Sequence, residues 1–340
     1  MIYVVLFFLA FSLLLYVLLA GADFGAGILE LFSSKENQAI TKKTVYRVMG
    51  PVWEANHIWI IIMIVILWVG FPAYYYILMI SLHVPLTLML LGITLRGVAF
   101  VFRHYDAYQD KSQLMYDWMF KISSLITPIF LGITFGSLLS GNIIMVNETT
   151  PQLSFKSLYI DSWLNGFSIL TGLFFTALCA FLSSVLLIGE AESKNRKIYV
   201  KKAIVATIIV VLVGFVTICY GFYDGVPFTR NFLNNSITIT AIILSGLLLY
   251  PLWISIKNER RVFSRFFAGI QVLLILTAAL VPIFPNMIFT TTGSINILHQ
   301  IAPNSVIKVL GISLIIGGAI ILPGLFHLLK SFKMIKILER

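Results

Sequence analysis

Nine times along this chain a run of about twenty or more residues passes with almost no charge, and that pattern limits the fold more than any other feature. A helix rises 1.5 Å per residue, so about 20 residues cross the hydrocarbon core, where each backbone N–H and C=O must be satisfied within the segment. The runs place helices at about 2–32, 51–71, 74–100, 115–140, 162–188, 202–222, 236–256, 265–284 and 305–329. The expected fold is therefore an all-α integral membrane protein, one polytopic domain over 1–340 with nine transmembrane helices. Between the second and third, "FPAYYY" reads as a tight interfacial turn, with Pro72 breaking the helix and three tyrosines at the headgroup level. With 59% hydrophobic and 11% charged positions, a water-soluble single-core protein is excluded.

The net charge of +10 calls for an explanation, and nucleic acid is the obvious candidate. Loop by loop, however, the bases alternate. Lys35, Lys42, Lys43 and Arg47, then Arg96, Arg103, Lys111 and Lys121, then the cluster from Lys194 to Lys202, then Lys257 to Arg265, and finally Lys330 to Arg340 all fall to one side. The other side keeps Lys156, Arg230 and Lys308. Basic loops stay cytoplasmic, so the N-terminus is expected outside and the C-terminus in the cytoplasm, and the charge needs no nucleic acid. The first base is Lys35, so the charged n-region of a secretory signal is missing and the first run is expected to remain as a span.

Loops are at most about two dozen residues, which leaves no room for a soluble catalytic domain. Function is expected inside the bundle or on its faces. Cys179 and Cys219 each lie in an apolar run, giving neither a disulfide framework nor a C-x-x-C metal site. No internal repeat or low-complexity segment stands out.

Two carboxylates lie well inside the expected spans, Asp23 in "LLAGADFGAGILELF" and Glu54 in "GPVWEANHIW". An ionisable group at membrane depth is costly unless paired or wetted, and so marks either function or a buried structural bond. With helix one running inward and helix two outward, both acids sit about 10–15 Å from the cytoplasmic surface at 1.5 Å per residue. At one level they could face each other, and desolvation with mutual repulsion would suit the pair to taking up protons. His57, three residues after Glu54, shares its helical face and either extends a relay or holds the carboxylate in place. The Glu-x-x-His pattern of Glu54 and His57 is that of a di-iron bundle, but the second copy such a site requires is missing. His83 is a formal axial haem ligand without a spaced partner. Small residues at Gly21, Ala22, Gly25, Ala26 and Gly27, and the pair Gly132 and Gly136, allow close helix packing, which puts Asp23 on a packed face rather than on lipid.

"GADFGAGIL", "GPVWEANHIW", "LRGVAFVFR", "DWMFKISSLITPIFLGITFGSLLSG" and "PIFPNMIFTTTGSINI", in that order and spacing, resemble subunit II of cytochrome bd-type quinol oxidases from the first helix to the last. The resemblance implies a multi-pass protein of a bacterial plasma membrane that acts in aerobic respiration as part of a quinol:oxygen oxidoreductase. It implies a related subunit I that carries haems b and d and the quinol-binding loop, so that catalytic residues, cofactor ligands and metal are expected on the partner. Quinol is oxidised near the outer face, dioxygen is reduced to water, and protons are drawn from the cytoplasm. A small accessory subunit, membrane lipid and quinone are further expected partners.

Matched position by position, Asp23 resembles the acid of the family's G-F-D-x-G-x-G motif. Glu54 stands where W-D-G-N has aspartate, with Trp53 and Asn56 retained. Trp53, Asn56 and His57 thus join the two acids as expected residues of a proton path or subunit contact. The family's R-P-V-G-F-D reads here Arg96 to Val101, without the final acid. A path using that step would need water, Asp106 or the partner subunit instead. A proton-coupled transporter is the competing class, and it would more often show broken helices near the midplane and inverted repeats.

Overall fold

Thirty residues without a proline, and without a charge before Asp23, let α1 run from Ile2 to Leu31. The computed structural model describes residues 1–49, 53–105, 112–145 and 153–331, with only the backbone described at 47–49, 53–55, 104–105 and 329–331. Directly after α1, α2 (Lys35–Met49) is an amphipathic helix where the hydropathy pattern suggested only a cytoplasmic connection. Its alternating polar and apolar residues are too polar to span and too periodic to remain coil.

The tyrosine segment departs from expectation. α3 (Trp53–Gly70) stops at Phe71, and α4 (Pro72–Ser81) leaves it at 116° before α5 (His83–Tyr105) begins. Proline has no N–H to give and its fixed φ suits the first turn of a new helix, so Pro72 starts α4 rather than closing a turn. The single helix expected over 74–100 is therefore two. α6 (Ser112–Ser140), α7 (Phe155–Tyr159), α8 (Gly166–Glu190), α9 (Arg196–Tyr223), α10 (Pro227–Asn234), α11 (Ser236–Lys257), α12 (Arg261–Leu280) and α13 (Asn304–Ser331) follow. Among the described residues eight helices are long and apolar enough to cross a membrane, and the bent α3 and α4 together make a ninth candidate.

The helical bundle carries one short hairpin besides. β1 (Asn286–Thr290) and β2 (Gly293–Asn296) form an antiparallel hairpin, pairing Ile288 with Ile295 and Thr290 with Gly293. Thr291 N–H donates to the Ile143 carbonyl (3.0 Å), Tyr74 Oη to the Met287 carbonyl (3.2 Å), and Ala302 N–H to the Gly70 carbonyl (3.0 Å). The ends of α3, α4, α6 and α13 are thereby gathered at one end of the bundle. Alternation over "MIFTTTGSIN" with a glycine at the turn is a strand signal, but it lay between two long apolar runs and was hidden by them.

α8 is the central helix: 72% of its apolar window is buried, against 11% for α13. Two glycine contacts explain how closely it is packed. A Cβ on Gly25 of α1 would collide with the Cys179 carbonyl of α8, and one on Gly132 of α6 would lie 2.7 Å from Gly172 Cα. Lipid gives helices no hydrophobic reason to associate, so such close backbone approach is what holds α1, α6 and α8 together.

Candidate functional site

Asp23 is 1% exposed, and its carboxylate is fully occupied by Arg96 of α5. Arg96 Nη1 lies 2.7 Å from Oδ2, Nη2 lies 3.0 Å from Oδ1 and 2.8 Å from the Asp23 carbonyl, and Nε donates to Ser124 Oγ of α6 at 2.9 Å. This is the forked geometry in which a guanidinium binds a carboxylate best. It also discharges the cost of two buried charges, which is repaid only when geometry and the remaining hydrogen bonds are good.

The arrangement repeats two turns along. Glu30, fully buried at the end of α1, accepts from Arg103 Nη2 at 2.6 Å, and Lys121 Nζ stands 3.9 Å from the same oxygen. Arg103 Nε makes an ion contact with Asp117 Oδ1 at 2.7 Å that is too bent for a hydrogen bond, and Asp117 also accepts from Lys42 of α2, 2.7 Å to each oxygen. Between the two levels lies the buried ring of Phe120, with Arg96 Cζ 4.7 Å and Arg103 Cζ 4.9 Å from its centroid. A desolvated guanidinium over an aromatic face contributes on the order of 1–2 kcal/mol. Two arginines, one ring and three carboxylates thus form a ladder joining α1, α5 and α6 to α2.

The ladder follows from spacing. Asp23 and Glu30, Arg96 and Arg103, and Asp117 and Ser124 are each seven apart, which puts both members of each pair on one helical face about 10 Å apart. Arg96, Arg103 and Lys121, counted above among cytoplasmic loop bases, are in fact buried within helices at 2%, 7% and 5% exposure. Glu30 is likewise a buried acid of the bundle, beyond the two expected. Opposite charges at matching seven-residue intervals in different runs were the signal available, and only pairing in space gives it meaning.

The other expected site residues fall into place unevenly. Trp53 and Glu54 are in the first turn of α3, but their side chains lie outside the described residues, as does Asp106. The proposed facing of Asp23 and Glu54 therefore also lies outside them. The Asp23 carboxylate itself faces Arg96. Asn56 is 2% exposed, and its Oδ1 has no hydrogen-bond partner among the described residues. The His57 ring lies 6.4 Å from the ring of Phe24, which neighbours Asp23, so the start of α3 does pack beside the ladder. Val101 is 42% exposed, turned away from it. Cys179 is buried against Gly25 and Cys219 is exposed.

His83 is exposed at the start of α5, with Nδ1 2.8 Å from the Ile80 carbonyl and its ring edge-on to Tyr159. A second region, a cleft of about 560 Å³ among α1, α6, α8, α9, α11 and α12, is lined by apolar side chains such as Phe135, Phe174, Phe181 and Leu274 and holds no histidine. Neither place joins a histidine to a cradle: His83 is exposed, and the cleft is lined without one. Within the cleft Gln271 exchanges hydrogen bonds with Ser245 (2.5 and 2.8 Å). Among the described residues no group of three His, Cys, Asp or Glu side chains is placed to hold a metal.

The comparisons with known proteins agree on one family. The chain is 25% identical over 283 residues to cytochrome bd ubiquinol oxidase subunit 2 of Bacillus subtilis, covering 82% of this chain and 79% of that one. It is 26% identical over 209 residues to cytochrome bd-I ubiquinol oxidase subunit 2 of Escherichia coli, covering 60% of this chain and 53% of that one. A chain of the bd oxidase from Geobacillus thermodenitrificans shares the fold, with a TM-score of 0.78 at 19% identity over 98% of this chain and 99% of that one. The family model for cytochrome bd terminal oxidase subunit II matches residues 1–332, nearly the whole described bundle, and this chain belongs to that family.

Proposed function

We propose that this chain is the second subunit of a quinol oxidase in a bacterial cytoplasmic membrane, paired with a subunit I that bears haems b and d, and that it supports that subunit and brings cytoplasmic protons to it. The observation that carries the reading is the family match over residues 1–332. Its curated relatives are named as ubiquinol oxidase subunits. Counting α3 and α4 as one span gives nine crossings and termini on opposite sides, and the base-rich loops support a cytoplasmic C-terminus with the N-terminus outside. The bend at Phe71 lies at the end of α3 remote from the ladder rather than at its middle. It is therefore not the midplane break of a transporter.

Haems on the partner would supply electron transfer and oxygen reduction when bound, and this chain's contribution is placement and proton handling. Asp23 and Glu30 are each held by an arginine, and these pairs lock α1, α5 and α6 into one wedge. Glu54, with Asn56 and His57 on the first turns of α3, is the group left to take up a proton beside that wedge. A carboxylate there receives a proton on one oxygen and releases it deeper, while the arginines disfavour any free cation in the same space.

The test is Glu54→Gln in the oxidase purified with its partner from the native membrane. Assembly and the haem spectrum should be retained while oxygen uptake at saturating quinol slows. Unchanged turnover would remove the relay role, and a colourless chain without a partner, from membranes that themselves hold no such oxidase, would remove the oxidase reading.

A further inference from the structure

Four buried polar atoms at the junction of α1 and α3 have no hydrogen-bond partner among the described residues: Ser12 Oγ, Tyr16 Oη, Asn56 Oδ1 and Trp59 Nε1. Their residues are 0%, 2%, 2% and 4% exposed. Such orphans are rare, because a buried donor or acceptor left unmade costs about 1–3 kcal/mol. Others occur elsewhere in the bundle, but these four fall on two neighbouring helices. Ser12 and Tyr16 are four apart, Asn56 and Trp59 three apart, so each pair shares a face of its helix. Trp59 packs in one cluster with Tyr16, Ala20 and Phe24, and its ring meets Phe11 edge-on at 6.0 Å, which sets the two faces against each other. The set combines an indole donor, an amide acceptor and two hydroxyls that do both. It matches what a small chain of water molecules needs, two to four polar partners each.

The position gives the set direction. Tyr16 is seven residues before Asp23 on the same face of α1, about 10 Å deeper into the bundle, and Ser12 is about 6 Å beyond it. The Tyr16 ring also borders the 560 Å³ apolar cleft. We propose that Ser12, Tyr16, Asn56 and Trp59 form a binding site for ordered water that carries protons past the Asp23–Arg96 pair toward the middle of the membrane. The proposal rests on the proton-uptake reading above. In each step a hydroxyl accepts a proton on its lone pair and releases its own from the other side, so Tyr16 and Ser12 stay neutral and no net charge is left in the low-dielectric interior. The water chain also offers a physical substitute for the acid missing at Val101, whose position is turned outward.

The assay is brief radiolytic hydroxyl-radical labelling of the intact two-subunit oxidase, followed by oxygen uptake of variants. Radicals formed from bound water label the ring beside it, so Tyr16 should be oxidised about tenfold faster than Phe71, a ring with no exposure and no polar partner to hold water. Tyr16→Phe keeps the ring and removes the hydroxyl. It should lower turnover at saturating quinol severalfold and raise the solvent deuterium isotope effect, without moving the haem spectrum. Tyr16 labelled no faster than Phe71, or Tyr16→Phe at wild-type turnover while Glu54→Gln is slow, would overturn the water site and leave the proton reading standing. Glu54→Gln at wild-type rate would take away that reading, and the proton role of the water site with it. If Tyr16→Phe fails to assemble, the labelling of the wild-type protein decides alone.

Discussion

The wedge of α1, α5 and α6 and the cleft bounded by α8, α9, α11 and α12 lie in the same bundle and differ in where their charges sit: the cleft helices carry ion pairs at their ends, Arg265–Glu190 and Arg196–Glu259, and none among the described residues of the cleft walls. In the wedge, two arginines and three carboxylates fix helix positions to within hydrogen-bond distances, and the Phe120 ring fills the space between charges. In the cleft about 560 Å³ is bounded by apolar side chains, and the polar contact between α11 and α12 is the neutral Ser245–Gln271 pair. Lipid tails are as apolar as leucine, so hydrophobic contacts inside a membrane do not choose one helix arrangement over another, whereas a paired charge does. The difference teaches that charge pairs fix neighbouring helices within the span in the wedge, and at the helix ends around the cleft.

The strongest way to break that contrast is Arg96→Met. It leaves the buried Asp23 without its partner, and removing one member of a buried pair costs about 3–5 kcal/mol. Thermal unfolding in detergent and the yield of assembled complex should both fall sharply, and the double variant Asp23→Leu with Arg96→Met should recover most of the loss. A wild-type melting temperature for the single variant would mean that the pair does not fix the wedge. Gln271→Leu sharpens the other side of the comparison. It removes both hydrogen bonds to Ser245, but interhelical bonds of this kind average about 0.6 kcal/mol, so the same melting experiment should register a small shift. A loss as large as that of Arg96→Met would erase the distinction between the two regions. Smallest of all is Lys42→Ala: Lys42 is 38% exposed, and surface pairs contribute about 1 kcal/mol or less, an effect that salt should abolish. A large, salt-insensitive effect would instead extend the rigid wedge out to α2.

How far the site could be read without coordinates differs residue by residue. Asp23 was visible because an acid in an apolar run has no cheap explanation, and its small neighbours already placed it on a packed face. Arg96 was not, because a base near the end of an apolar run is ordinarily a cytoplasmic anchor, and a long side chain at that position can reach either water or a partner. Glu30 was passed over because it lies at the end of the first apolar run, where an acid is expected to reach water. The expected facing of Asp23 and Glu54 lies outside the described residues, and within them the Asp23 carboxylate is bound by Arg96, 73 residues along the chain. The bend at Phe71 and the hairpin over 286–296 were both concealed by their apolar surroundings, where hydropathy cannot tell a span from a segment covering the bundle end.

Sequence alone determined the solvent this chain folds in, the approximate bounds of most of its long helices, and the presence of an acid that needed a partner. These follow from the length of apolar runs and from the cost of charge in hydrocarbon, both of which are local. The tertiary structure decided which charges meet, because ion pairing depends on where helices lie side by side. It also decided which polar atoms are left without a partner, since an orphan is defined by everything around it. Lipid exerts no preference among arrangements of apolar helices, so those pairings, with the glycine contacts of α1, α6 and α8, select one fold from the many that the same nine runs would allow.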